Sequence, residues 1–409
     1  MAPKVEALQE RTSNHEQDIT SSSQIRTTAF YSQYEFELFS NFTFFLNNPE
    51  DGDQIRQYEF RDLYGLNSTY INDFSIGKFD ALWKWGISVR NDISRDNELS
   101  RTKNREEVLE FIQKGTINQL NAATFSDLEL TYKKWTIRPG VRLDRFDFQY
   151  ENDLETEYSV QSETEYFVSP KLSVHHHFNE NLEVFGKSGV GFHSNDSRVV
   201  ILENPSSSIP LAFGNDIGIV AKPFKPLYLS ATFWHLYMEQ EFVYVGDEGI
   251  VEPSGETYRR GVEVNLTYQP FSWMYLNADV NYTIAEALNE PEGQDYIPLA
   301  PDLVATGSLQ IKNKKGLSAG LYVRYLDDRP ANEDNSIVAE GYTVVDASIA
   351  QKWDHFGIQI QVQNLLDVDW NETQFATESR LMNEVESVEE IHFTPGTPFF
   401  LQMGVQYNF

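Results

Sequence analysis

The 409-residue chain has no cysteine. Disulfides, thiolate metal sites and cysteine nucleophiles are therefore excluded together. It also lacks any run of about 18 apolar residues, so no helix of it can span a bilayer. Positive charge is scarce: 32 Lys and Arg stand against 62 Asp and Glu, for a net charge of -30. Such a chain repels phosphate, and no nucleic-acid partner is expected. An apolar export-signal core is missing too, because Met1 is followed by a polar run from Ala2 to Arg26. Residues 1–25, rich in Ser, Gln and Glu, are expected to be a disordered or remnant N-terminal segment.

Aromatic residues are abundant at 14%, with 28 Phe, 21 Tyr and 7 Trp, while the mean hydropathy stays at -0.46. That combination suits a membrane β-barrel, in which only alternate residues face lipid. The hydrophobic pattern has period two. Phe399, Leu401, Met403, Val405, Tyr407 and Phe409 share one face of the last segment, against the mostly polar Phe400, Gln402, Gly404, Gln406 and Asn408. The alternation recurs at Phe356–Val362, Leu317–Val323, Met274–Tyr282 and Leu303–Ile311.

Alternation alone would also fit a soluble sheet with one dry face. The connections decide. Short turns are expected near Phe74–Phe79, Lys133–Lys134, Asn179–Asn181, Pro223–Pro226, Pro270–Ser272, Asn313–Gly316 and Asp354–His355. Between them lie long polar connections, among them Asn47–Asp53, Asp96–Leu120, Asn289–Pro301, Asp327–Glu340 and Asp367–Thr397. Outer-membrane barrels have short turns on the periplasmic side and long loops outside. The expectation is an all-β, antiparallel, up-and-down transmembrane barrel with roughly sixteen strands present. An even count would put both chain ends on the short-turn side, and closure would spare an open edge in lipid. Tyr and Trp near strand ends, such as Tyr166, Trp273 and Trp353, match interfacial girdles. Arg105–Leu120 could form a short amphipathic helix in a loop, with Val108, Phe111 and Ile112 on its apolar side.

Several segments then resemble the C-terminal barrel of TonB-dependent receptors. They are Leu38–Gly65, Ser169–Asp196 (PKL, a short turn, then GVGF), Arg260–Tyr282, Ile297–Leu309 (IPLAPDLVATGSL) and Val362–Asp367 (VQNLLD) before a long loop and a terminal strand ending in Phe409. The resemblance covers about residues 26–409. The resemblance implies uptake of a bulky, scarce solute such as a ferric siderophore, in the outer membrane of a Gram-negative bacterium. It implies contacts with outer-membrane lipid, with the barrel-assembly machinery through Tyr407 and Phe409, and with an extracellular small-molecule ligand. Family barrels have about 22 strands and a plug, so the resemblance implies a barrel portion without the plug and the first strands. Coupling to the TonB complex would need a plug from elsewhere. A passive porin-like channel is the alternative, and a soluble ligand-binding β-protein the third reading.

For ligand contacts the candidates are lumenal Tyr322 and Arg324 and the pair Arg259 and Arg260, with Arg suited to anionic groups and Tyr to stacking. The blander role is an ion-pair network bracing the wall. His175 and His177 should face the lumen and His176 the lipid; without a third ligand the cluster reads as structural, and no metal is expected. The acidic loop residues Glu378, Glu384, Glu386, Glu389 and Glu390, like Asp327, Asp328, Glu333 and Asp334, read mainly as solvated surface. No nucleophile elbow, zincin motif or phosphate loop occurs, so neither catalysis nor a cofactor is expected.

Overall fold

The computed structural model describes residues 4–155, 160–192, 209–240, 242–245, 250–253 and 255–409. Among these residues the chain is all-β, without a helix. In chain order the strands are β1 (Lys4–Thr20), β2 (Ser23–Ser40), β3 (Ile55–Ile76), β4 (Phe79–Lys103), β5 (Glu107–Tyr132), β6 (Trp135–Asn152), β7 (Val160–Asn179) and β8 (Leu182–Phe192). There follow β9 (Leu211–Ala221), β10 (Leu227–Met238), β11 (Phe242–Val245), β12 (Ile250–Pro253), β13 (Thr257–Phe271), β14 (Met274–Ala287), β15 (Leu303–Lys312) and β16 (Leu317–Leu326). The last are β17 (Arg329–Pro330), β18 (Val338–Ala339), β19 (Tyr342–Lys352), β20 (Phe356–Gln363), β21 (Asn371–Ser379), β22 (Val388–Pro395) and β23 (Phe400–Tyr407).

Seventeen of these form one sheet. Each pairs antiparallel with the next, from β1–β2 round to β20–β23, while β11–β12, β17–β18 and β21–β22 are hairpins within loops. Short turns and long loops alternate at the two ends, as expected. Three expectations change. Seventeen strands agree with the rough count of sixteen but make it odd, so β1 starts on the long-loop side and β23 ends on the short-turn side. No pairing among the described residues joins β1 to β23, so the wall is an arc with two free edges rather than a closed tube. And Lys4–Thr20, expected to be disordered, is a strand in register with β2 from Lys4↔Glu37 to Thr20↔Ser23. Composition misled there because β1 is held by main-chain hydrogen bonds and a Ser21–Ser22 turn, in which the Thr20 and Ser23 hydroxyls lie 2.7 Å apart. Arg105–Leu120 is no helix either. Asn104 and Arg105 take positive φ, 56° and 61°, reversing the chain so that Val108 pairs with Thr102 on β4.

The two faces follow the period-two pattern. Outward lie Trp85, Ile87 and Val89 on β4, Val141 and Leu143 on β6, Val280 and Tyr282 on β14, and Met403 and Val405 on β23, all exposed. Inward lies polar chemistry. Glu59 accepts from Tyr34 Oη (2.8 Å), Arg61 Nη2 (2.8 Å) and Ser94 Oγ (2.9 Å), and Arg90 forks onto Asp92 at 2.7 and 2.9 Å. Arg142 grips the buried Asp144 through two bonds of 2.8 Å. Asp127 holds Arg138 at 2.7 Å and Lys171 at 2.9 Å. A solid apolar interior is absent from the described residues; the one buried cluster centres on Phe146 and Phe148. Lumenal glycines let neighbouring rings lie flat on the wall: a Cβ at Gly65 would sit 2.0 Å from Phe30 Cζ, and one at Gly261 2.8 Å from Trp234 Cζ2.

Candidate ligand site at the outer mouth

The long loops interlock. Asp53, buried, organises the β2–β3 loop by accepting from Thr43 Oγ1 (2.8 Å), Asn47 N (2.9 Å) and Asn48 N (2.7 Å). That loop meets the β21–β22 hairpin. Phe45 N donates to Arg380 O (3.0 Å), Arg380 N to Thr43 O (3.1 Å), and the Arg380 guanidinium binds Phe45 O. Phe42 packs edge-on against Phe375, and Phe44 stacks on His392. The two flanks of the arc are thus clasped at the mouth although β1 and β23 are unpaired. Gln374 ties the same hairpin to the β16–β19 loop, donating to Glu340 O (2.7 Å) and accepting from Glu340 N (3.1 Å).

Asp53→Ala leaves two backbone N–H groups and a hydroxyl unmet in a buried site, which costs about 2–4 kcal/mol. The expected outcome is selective proteolysis within residues 41–54 with the sheet intact; equal protection in wild type and variant would contradict it. Lys103 hydrogen-bonds to Asp51 and holds its carboxyl below the usual carboxylate range. A depressed folded value means that this restraint is present at neutral pH and is lost only as pH falls below the usual carboxylate range.

The VQNLLD motif anchors the long loop before β23. Asn364, buried at φ 48°, donates from Nδ2 to Val368 O (2.8 Å) and Thr397 O (3.1 Å) and accepts from Val368 N (3.0 Å). Its own N–H reaches Asp346 Oδ1 at 2.9 Å, and Asp367 Oδ1 accepts from Phe399 N at 3.0 Å. Both stems of the loop are thereby fixed, which places Trp370 over the lumenal face of β16 and β19. Its Nε1 donates to Thr397 O at 3.0 Å, and Tyr342 packs 4.7 Å from its ring.

Arg324 sits beneath. Its guanidinium lies 5.4 Å from the Trp370 ring centre and only loosely contacts Asp346, at 3.5 Å, with its side chain half exposed. Tyr322, two residues along on the same face and directly opposite Asp346, is exposed, its ring lying over Gly320. The group Tyr322, Arg324, Tyr342 and Trp370 offers an exposed cation beside aromatic faces, able to hold an anionic, partly planar ligand. Of the four candidates, Tyr322 and Arg324 are brought together. Arg259 and Arg260 are not: neighbours in a strand point to opposite faces. Arg259 shares the lumenal side with Gly261, whereas Arg260 is outward with Val262, 3.4 Å from Glu286 and over Tyr258. Trp370, Tyr342 and Asp346 were missed; the register of Asp346 with Tyr322 was the available signal.

His175 and His177 face inward and His176 outward, the last against Trp135 and Phe178. Glu183 stands between the inward pair, at 2.6 Å from His175 Nδ1 and 3.4 Å from His177 Nδ1. No group of three such residues among those described converges as a metal site. The acidic residues of the last loop lie on the exposed β21–β22 hairpin and its tip, where Glu384 accepts from Leu381 N at 2.8 Å.

An antiparallel arc with an apolar outer face, a polar inner face and interlocked loops at one end defines the wall of an outer-membrane β-barrel. A family model described as TonB dependent receptor-like, beta-barrel, matches residues 7–365. The chain belongs to that family, and its place is the outer membrane of a Gram-negative cell. No curated protein matches it by sequence. Among solved structures it is similar to the ferric citrate transporter FecA in the unliganded form, with TM-score 0.77 and 15% identity over 97% of this chain and 61% of that one. It is also similar to the ferric-catecholate import receptor Fiu from E. coli K12 (TM-score 0.74, 14% identity, 98% and 64%). A third likeness is to the ferric yersiniabactin uptake receptor FyuA from Yersinia pestis (TM-score 0.71, 13% identity, 98% and 60%). At these identities the likeness establishes the fold. The chain spans about three fifths of the length of these structures.

Proposed function

We propose that this chain forms the ligand-side wall of a TonB-dependent receptor that takes up a bulky, scarce solute such as a ferric siderophore. The observation that carries the reading is the Arg324–Trp370–Tyr342 group held beneath a clasped set of outer loops. The named transporters of ferric citrate, ferric catecholates and ferric yersiniabactin support it by likeness of fold. Arg324 supplies charge to an anionic ferric chelate and the rings supply stacking, so the role is binding rather than catalysis and needs no resident cofactor. Coupling to the TonB complex runs through a plug domain, and the barrel-assembly machinery reads Tyr407 and Phe409, which pack edge-on at 5.2 Å on the outward face of β23.

Ferric citrate and a ferric catecholate, titrated by tryptophan fluorescence against the receptor in outer-membrane vesicles, test this. Arg324→Ala and Trp370→Ala are each expected to weaken binding of one of the two by about tenfold, as loss of a charge-assisted contact of about 1.4 kcal/mol would. Unchanged affinity for both in both variants, with steady open-pore conductance, would favour a passive porin instead.

A further inference from the structure

Arg260, expected in the lumen, stands on the outer wall opposite His235, which lines a trough there. The trough, of about 440 Å³, crosses β7, β8, β9 and β10. Its floor and sides are Leu172, Val174, Gly186, Ser188, Ile217 and Phe233. Register puts all of them on one face: Val174 opposes Gly186, Gly186 opposes Ile217, Ile217 opposes Phe233, and Leu172 opposes Ser188. That face is the outward one, where Ile217 is 64% and Phe233 50% exposed. The hollow exists because two small residues interrupt a wall of large ones. A Cβ at Gly186 would meet nothing nearer than Asp216 O at 3.9 Å.

Toward the long-loop side the trough turns polar. Asn215 opposes Ser188, His235 opposes Asn215, and Arg260 opposes His235. Asn215 Nδ2 lies 2.7 Å from His235 Nε2, and His235 Nδ1 is buried without a hydrogen-bond partner. The rings of Phe213 and Tyr258 flank His235 at 5.9 and 5.8 Å. Arg260, its side chain 42% exposed, lies one step beyond the level of Val262 and Tyr282, toward the loops. Its one ion-pair partner given by the structure is the half-exposed Glu286 at 3.4 Å, a long contact that screening weakens.

We propose that this trough binds one phosphate-bearing lipid of the outer leaflet, an acyl chain lying along Gly186 and Ser188 and the phosphate held by Arg260, with His235 beside it. The apolar part alone cannot select a lipid, because lipid tails are as apolar as the side chains around them. Selection comes from the head, where a guanidinium matches phosphate geometry. The small residues then fix where the chain lies. The inference rests on the outer face meeting lipid and does not depend on which solute the lumen binds.

The test is native mass spectrometry of the receptor extracted in mild detergent, with lipid A, phosphate-free diacylglycerol and inorganic phosphate offered in turn. Wild type is expected to retain one lipid A and neither of the others. Gly186→Leu fills the trough without a backbone clash, and Arg260→Ala removes the head; each should lower lipid A occupancy about tenfold. Heat-modifiable migration of both variants should match wild type, which separates lost binding from lost folding. Equal lipid A retention in either variant would overturn the proposal. So would displacement by inorganic phosphate, which marks a phosphate site without a lipid, or retention of diacylglycerol to the same extent as lipid A. A crosslinked second copy covering Ile217 would overturn it as well.

Discussion

Ile349→Lys is expected to destabilise the folded wall by about 1–2 kcal/mol, the cost of a lysine on the lipid face between the interface and the midplane. Ile349 is 48% exposed on β19, with Ala319 of β16 and Ile360 of β20 opposite it. None of these neighbours offers a counter-charge, and water is excluded from that face. Ser348→Lys, one residue away, points to the lumen between Gly320 and Gln361, where a cation keeps its hydration. It should change stability by less than about 0.5 kcal/mol. Urea unfolding in lipid vesicles, read by heat-modifiable migration, measures both. Equal loss in the two variants would mean that the faces are not distinguished by solvent, and the membrane reading would fail.

The second large effect is expected at Asn364. Asn364→Ala deletes three side-chain hydrogen bonds inside a buried loop stem and keeps a β-carbon at positive φ without asparagine's local compensation. Val368 O and Val368 N lose their partner, and Thr397 O keeps only the Trp370 indole. The sum is about 3 kcal/mol or more. The loss falls on the long loop rather than on the sheet, because β20 and β23 pair with each other from Phe356↔Tyr407 to Gln363↔Phe400. Hydrogen exchange should therefore rise at residues 364–370 and 396–399 while β20 stays protected. Ligand binding should fall with it, since Trp370 is positioned by the same stem. The same exchange in wild type and variant at these residues would show that Asn364 anchors nothing.

These effects divide the molecule as the sequence does. From β13 onward the main strands were legible nearly residue by residue, because lipid on one side and water on the other enforce strict alternation. The pattern fades where that pressure ends. The loop-side halves of β4 and β5 stand above the apolar band, and there Ser94, Ser100 and Thr102 are buried while Val108 and Phe111 are exposed. Asp96–Leu120 thus read as a loop with a helix. Between Ser13 and Gln17 β1 shows no apolar alternation: Ser13, His15 and Gln17 lie on the side opposite Asn14 and Glu16, and there only main-chain pairing reveals the strand.

The site was legible in part. Parity placed Tyr322 and Arg324 in the lumen, but Trp370 reaches them from a loop 46 positions further on than Arg324, a distance that no local pattern encodes. Arg259 and Arg260 were read as a unit although a strand must separate them, and that separation turns Arg260 into an outer-wall residue.

The free edges of β1 and β23 bear on function as well. Unpaired backbone groups in hydrocarbon cost several kcal/mol each, so the arc needs further strands to close it, whichever chain supplies them. Closure does not alter which side of each strand meets lipid.

That division of faces is most directly measured by placing single spin labels at residues 400–407 of β23, in outer membranes, and comparing quenching by lipid-soluble oxygen with quenching by a water-soluble nickel chelate. Labels at 401, 403, 405 and 407 should respond to oxygen, and those at 402, 404 and 406 to nickel. A uniform response along the strand, or protection of every site from both reagents as in a packed protein interior, would contradict a wall with lipid on one side and water on the other.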